Sequence, residues 1–271
     1  MQATSLREFG ASAAFDRMAD TYDETFTQSS IGRAQREVVW NSLTKVFRPG
    51  HRVIDLNCGT GEDALFLAKH GVSVVGCDAS ARMIQVAERR KSLEAPGASL
   101  RFRVLRNEDV DALSESAPFD GVLSNFSGMN CVADPSQVAR KLRQVLKPGA
   151  VALICVSTRV CLWEVAWYGS HGNLTKAFRR VRGRALANLD GITVPVWYLT
   201  IARMRGLFSP WFQLRSARAI GLFVPPSYLE SWARKRTTIL VRLQAMDRVF
   251  SAWPVLRAVG DHVLLEFEKR C

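Results

Sequence analysis

The sequence predicts an α/β fold: a doubly wound, Rossmann-like, seven-stranded and mostly parallel sheet, with a cap of helices and extended chain over its active edge. Three observations predict it. Residues 53–78 read as strand, tight turn, helix and strand. Apolar strand-like runs then alternate with amphipathic helical runs as far as residue 157. Beyond 157 the alternation loosens, and the whole excess of positive charge is found there.

The first strand, Val53-Ile54-Asp55-Leu56, is apolar around one acid. Asn57-Cys58-Gly59-Thr60-Gly61 follows as a tight turn. Its glycines let the backbone approach a ligand, with N–H groups aimed from a helix N-terminus. The helix Ala64–His70 is closed by Gly71. The second strand runs from Val72 to Cys77-Asp78, and a carboxylate at that end is placed to accept both hydroxyls of a ribose. Read literally, Gly59-x-Gly61-x-x-Ala64 also satisfies the dinucleotide pattern. Asp55 argues against that ligand, because a dinucleotide strand usually runs apolar into its first glycine.

Ser80 is an expected N-cap for a helix through Met83 and Ala87. Leu100–Leu105 alternates as the third strand. Asn107-Glu108-Asp109 follows it. Phe119–Ser124 is the fourth strand, with Asn125-Phe126 in its exit turn. Asp134-Pro135 starts a helix with proline at its first position. Lys147-Pro148-Gly149 turns the chain into the fifth strand, Val151–Ser157. Residues 160–168 and 173–180 read as helical, 192–198 as extended, and Thr200–Phe208 as a short helix. Phe212–Ile220 is the sixth strand. Helical segments run from Ser227 to about Leu256, and Asp261–Glu268 is the seventh strand. Upstream, residues 32–47 form an amphipathic helix. The expected organisation is 1–157 for N-terminal lid helices and core, 158–200 for a cap insertion, and 201–271 for the remainder, with a second helical insertion at 221–260.

The turn with Asp55 ahead of it resembles motif I, D-x-G-x-G-x-G, of the class I S-adenosylmethionine methyltransferases, with Asn57 at the first glycine. Asn tolerates positive φ, so the turn survives. Four further family features follow in order within about 110 residues: the acid after the second strand, the acid after the third, Ser124-Asn125-Phe126, and Lys147-Pro148-Gly149. The segment Phe15-Asp16-Arg17-Met18-Ala19-Asp20-Thr21-Tyr22-Asp23 resembles the F-D-x-x-A-x-x-Y-D opening of small-molecule methyltransferases, including quinone-modifying ones. The likeness is strong over 50–157, moderate at 10–25 and in the last two strands, and absent from the cap.

The resemblance implies S-adenosylmethionine as cofactor and S-adenosylhomocysteine as product. It implies that Asp55, Asn57, Cys58, Gly59 and Gly61 hold the amino acid end, and that Asp78 with Ala79 meets the ribose. Met83 would lie against the adenine face. Glu108 or Asp109 would bond the adenine amino group, Asp109 being narrowly favoured. Asn125 and Phe126 would stand near the ammonium, and Tyr22 near the cofactor under a folded-over N-terminal segment. The last strand would run antiparallel.

The chain has 37 Lys+Arg against 25 Asp+Glu, a net charge of +12. Residues 158–260 hold 16 of the bases and only 4 of the acids, so the rest is balanced. In an open α/β sheet the ligand sits beyond the carboxyl ends of the strands. Both insertions leave from that edge, so both are expected to roof the site. A lid of Trp and Arg suggests an acceptor with a flat or greasy part and an acidic part. Asn130, Trp163, Glu164 and Trp167 are the candidate substrate contacts. His262, beside Asp261 at the start of the last strand, is the best-placed candidate base.

The six cysteines are scattered, so neither zinc nor a disulfide framework is indicated. No apolar run reaches the ~18 residues of a membrane span, and the N-terminus lacks a signal-peptide pattern. A cytoplasmic setting is expected. The expected function is methyl transfer to a small or amphipathic metabolite, anionic in part if the lid charge serves recognition. The rivals are an RNA or DNA methyltransferase using the basic cap, and a non-catalytic S-adenosylmethionine-binding protein. Absence of a (D/N)-P-P-(Y/F) box weighs against the first. No obligate nucleic-acid partner and no metal are expected. A weak membrane-surface contact through the basic cap is a further expectation, and oligomeric state is not readable.

Overall fold

The computed structural model describes residues 2–270, with side chains described from Gly10 onward. Seven strands form one sheet in the order β3-β2-β1-β4-β5-β9-β8. They are β1 Arg52–Leu56, β2 Ser73–Asp78, β3 Leu100–Val104, β4 Phe119–Ser124, β5 Leu146–Ser157, β8 Phe212–Ile220 and β9 His262–Lys269. β1 to β5 pair in parallel. β9 lies between β5 and β8 and is antiparallel to both. β6 Arg184–Leu189 and β7 Ile192–Trp197 form a separate antiparallel hairpin.

The helices are α1 Gln2–Met18, α2 Ser30–Val46, α3 Glu62–Lys69, α4 Ala81–Glu94, α5 Pro135–Val145, α6 Leu162–Ser170, α7 Leu174–Ala177, α8 Ile201–Phe208, α9 Glu230–Arg234 and α10 Thr237–Phe250. The sheet has a core on each face. Ile54 and Leu56 of β1 enter the core formed with α5 and α8, while Val53 enters the one formed with α2 and α3. Alternate side chains of a strand point to opposite faces, so a parallel strand covered on both sides must be apolar throughout.

Local chemistry sets the element ends. Ser80 Oγ accepts from Met83 N at 3.0 Å and caps α4. Asp134 caps α5 ahead of Pro135. Gly71, at φ +78°, ends α3 in the left-handed conformation that favours glycine.

One expectation is corrected and one is extended. The fifth strand begins at Leu146 rather than Val151, and its register shifts against β4 between Phe119 and Gly121. The extended run near 192–198 is one arm of the β6–β7 hairpin. Its partner arm is short and rich in alanine, so it carries little strand signal of its own. Asp190 (φ 48°) and Gly191 (φ 81°) make the turn. An Asp-Gly pair with both residues at positive φ is a strong hairpin signal, and it was there to be read.

The two insertions also behave differently. The hairpin of the first covers the active edge. The second places α9 and α10 against α2, where Trp163, Trp167 and Trp232 join Ile31, Val224 and Leu229 in a third apolar cluster.

Candidate active site

A cavity of about 800 Å3 opens at the carboxyl ends of β1, β2 and β4. Its floor is the pair of turns that leave β1 and β4. Asn57 sits at φ 51°, Phe126 at φ 43° and Ser127 at φ 70°. Among described non-glycine residues only Asp190 shares this conformation, so backbone strain is concentrated where the ligand would lie. The two turns are knitted together. Asn57 Nδ2 donates to Asn125 O at 2.9 Å, and Ser124 Oγ donates to Asn57 Oδ1 at 2.7 Å. A Cβ on Gly128 would lie 1.9 Å from Asn57 Cγ, so this crossing of turns requires glycine there.

Asp78 ends β2 at the cavity wall. Its carboxylate accepts from Gly59 N and Ser80 N, both at 2.9 Å. Burial lifts its pKa above the ordinary carboxylate value, and those N–H groups oppose the lift. Ala79, Met83, Glu108 and Asp109 line the same cavity, as do Asn57, Gly59, Asn125, Phe126 and Tyr22. Glu108 and Asp109 both reach the wall.

Asp55, Cys58 and Gly61 stand behind that surface. Both Asp55 carboxylate oxygens are buried without an aligned hydrogen bond. Burial drives the Asp55 pKa well above normal, Asp63 adds to this, and Arg36 and the Ala64 N–H partly offset it. Gly61 is the N-cap of α3, and a Cβ there would meet Phe102 at 2.7 Å. Asp63 collects Asn125 Nδ2 at 2.9 Å, Trp40 Nε1 at 2.7 Å and the Arg36 guanidinium. The sequence reasoning missed this buried hub.

The N-terminal segment folds over the site, and its acids fasten it. Asp16 accepts from Ser80 Oγ at 2.6 Å and Arg82 N at 3.1 Å. Asp20 pairs with Arg82 at 2.8 Å. Asp23 accepts from Thr60 Oγ1 at 2.6 Å and pairs with Arg90. Phe15 and Tyr22 thereby face the cavity. Burial pushes the Tyr22 hydroxyl up to about 12, with Arg36 opposing, so it stays protonated at neutral pH.

The opposite wall comes from the β6–β7 hairpin, through Ala187, Leu189, Val194, Pro195, Val196 and Trp197. This wall is almost wholly apolar. The cationic runs of the insertions are absent from the lining, where Arg106 is the sole described Arg or Lys.

Several substrate-side expectations are therefore corrected. Trp163 and Trp167 pack in the third apolar cluster, and Trp163 Nε1 donates to Phe223 O at 3.0 Å. Glu164 is 1% exposed and ion-paired to Arg179 and Arg180, because an unpaired carboxylate is too costly to bury. Asn130 is held by the backbone of Ser157 and Trp197, away from any ligand. His262 also misses the cavity. Its ring packs edge-on to Phe126 at 5.6 Å between centroids, so Phe126 separates it from the ligand space. Burial lowers the His262 pKa against the pull of Asp261, whose carboxylate lies 3.4 Å from Nδ1 without an aligned bond. His262 packs against Phe126 and is not among the residues lining the cavity.

Comparison with known proteins identifies the domain. Residues 53–149 match the model of a methyltransferase domain. Those residues form a methyltransferase domain of the class I S-adenosylmethionine-dependent type. A demethylmenaquinone methyltransferase of Clavibacter sepedonicus is 33% identical over 147 residues, covering 53% of this chain and 56% of that protein. A tRNA 5-carboxymethoxyuridine methyltransferase of Escherichia coli K12 is 27% identical over 164 residues, covering 59% of this chain and 58% of that protein. The match thus spans under two thirds of the length of these relatives. Among solved structures, a SAM-dependent methyltransferase from Methanosarcina mazei superposes with a TM-score of 0.56 at 19% identity, covering 84% of this chain and 96% of that one. The [4+2]-cyclase SpnF superposes with a TM-score of 0.52 at 16% identity, covering 94% and 80%. These likenesses show the fold, and one fold carries more than one chemistry.

The cavity wall has the chemistry that the family's cofactor needs. A strand-end carboxylate, a strained glycine-containing turn and a protonated tyrosine face one space, above a buried carboxyl lacking an aligned bond. About 800 Å3 is at the large end for a ligand site, with room for a cofactor and a second molecule.

Proposed function

We propose that this chain transfers a methyl group from S-adenosylmethionine to a small molecule with a flat, apolar body. The observation that carries the reading is a single cavity walled by both the acid-and-glycine turns and the apolar hairpin. The demethylmenaquinone and 2-phytyl-1,4-naphthoquinone methyltransferases among its relatives support an acceptor of that kind. The expectation of an anionic acceptor loses its basis, since the cap's Arg clusters lie elsewhere.

When bound, the cofactor supplies an electrophilic methyl group on a sulfonium. The chain's own contribution is placement. Asp78 accepts hydroxyl donors, the crossed turns fix the floor, and the N-terminal segment and hairpin exclude water. Holding two reactants in line supplies most of what such a displacement needs. Among the described wall residues no imidazole faces the cavity, and Tyr22 stays protonated. A flat, apolar acceptor fits this wall best.

Calorimetry with S-adenosylhomocysteine tests the cofactor half. Wild type is expected to bind, and Asp78→Ala to lose at least tenfold in affinity with its melting temperature kept. Incubation with reduced naphthoquinones, read by mass spectrometry, tests the acceptor half. Equal S-adenosylhomocysteine binding by both proteins, or no methylated product from any flat apolar acceptor, defeats the corresponding half.

A further inference from the structure

The outer face of α10 carries the wrong chemistry for a helix that only meets water. Ile239, Met246 and Val249 of α10 are exposed there, Val249 by 63%, and Trp253, in the turn that follows the helix, is exposed by 54%. Ile239, Arg242, Met246 and Val249 follow the three-and-four spacing of one helical stripe, and Trp253 follows in a turn closed by its N–H bond to Phe250 O. The inner stripe is separate: Leu240 and Asp247 are buried. A surface helix normally keeps its apolar residues on that inner side alone.

The exposed charge carried by α9 and α10 beside this stripe is positive, apart from Glu230 at the start of α9. Arg234, Lys235, Arg236, Arg242 and Arg248 are exposed on α9, α10 and the link between them. Asp247 is the one acid between residues 231 and 260, and it points inward, accepting from Phe223 N and Val224 N. Arg248 is paired with Glu37 of α2, and Arg236 lies 5.3 Å over the Trp232 ring. The remaining cations have no acid within ion-pair distance among the described residues.

We propose that this face docks on the surface of a bilayer containing anionic lipid. Aliphatic side chains and a tryptophan would enter the headgroup boundary while the flanking cations meet the lipid phosphates. A second copy of the chain is a poor occupant, because an isologous contact would set this cationic rim against itself. Nucleic acid is a poor one too, because exposed Val, Ile and Met give nothing to phosphates or bases. Among the described residues no helix is long and apolar enough to span a membrane, so the helix would lie on the surface. The inference stands on α9 and α10 alone, independent of the proposed activity.

Co-sedimentation of the full chain with vesicles tests it. The lipid is phosphatidylcholine, with or without about 30% phosphatidylglycerol, at low and high salt. Wild type is expected to bind the anionic vesicles at least tenfold more tightly and to be released partly, not wholly, by salt. Val249→Ser with Trp253→Ser should weaken binding at least tenfold and leave residual binding fully salt-sensitive. Arg234→Glu with Lys235→Glu should abolish the preference for phosphatidylglycerol. S-adenosylhomocysteine binding reports folding in each variant. If the apolar variant unfolds, the charge variant and the comparison of lipids still decide. Wild type remaining in the supernatant overturns the proposal. So does tighter binding to RNA than to vesicles, or a dimer that Trp253→Ser dissolves.

Discussion

Asn130 Nδ2 donates to the carbonyl oxygen of Trp197 at 2.7 Å. The same side chain accepts from Ser157 N at 2.9 Å. One buried amide thus ties the last residue of the cap hairpin to the last residue of β5, at the edge where the cavity opens.

Removing that amide should loosen the hairpin without dismantling the core. Asn130→Ala leaves a buried carbonyl and a buried N–H unpaired, at a cost of about 1–3 kcal/mol. Amide hydrogen exchange in residues 184–197 is expected to accelerate at least tenfold, with residues 50–125 unchanged. S-adenosylhomocysteine affinity should stay within about threefold, because the floor turns do not depend on Asn130. Unchanged protection of the hairpin would show that α1 alone holds it.

What was legible in the sequence was what is encoded locally. Asp78, Gly59 and Tyr22 could be placed because each sits a fixed step from a strand end or within a short signature. The strands of the sheet were readable from apolar runs, and Ser80 and Asp134 from capping chemistry. The cap was not readable in this way. Glu164 takes its meaning from Arg180 and Asp261, and those contacts join distant parts of the chain. Trp163 and Trp167 are aromatic in either role, and only packing assigns them to a core. His262 was correctly placed at the active edge, but a strand position does not say that Phe126 stands in front of it. Net charge located the basic region without saying which way its side chains point.

Arg180 is the centre of the cap's buried ion cluster. Its Nη2 lies 2.8 Å from both Glu164 Oε1 and Asp261 Oδ1, and its Nη1 donates to Asp261 O at 2.8 Å. Burial resists the charge of Asp261, but Arg180 at 2.8 Å and the Gln35 amide outweigh it and hold the carboxyl below the usual range. Arg180→Met should therefore cost about 3–5 kcal/mol, by leaving two buried carboxylates short of a partner. Arg180→Met with Glu164→Gln should cost less than the single change, because one of those charges is gone. Urea denaturation of the three proteins measures this. A loss under about 0.5 kcal/mol for Arg180→Met would mean that the cluster relaxes into water.

Asp247 gives the fold a pH dependence of unusual sign. It is buried on the inner stripe of α10, and burial lifts its carboxyl from 3.8 to about 6, against the Phe223, Val224 and Leu222 N–H groups. No cation appears among the influences on it. Because the folded value lies above the unfolded one, the folded state holds the proton more tightly between about pH 4 and 6. Stability from this group rises as pH falls through 6, is complete below the unfolded value, and is lost again as pH rises. The gap corresponds to at most about 3 kcal/mol at 1.36 kcal/mol per pKa unit. Asp247→Asn removes the titration and keeps an acceptor for one of the two N–H groups. Wild type should therefore gain stability relative to Asp247→Asn as pH drops from 8 to 5, by about 1.4 kcal/mol. Melting temperatures of both proteins across that range supply the measurement. A parallel pair of pH curves would mean that Asp247 titrates at its ordinary value, and that its N–H partners carry the buried charge unaided.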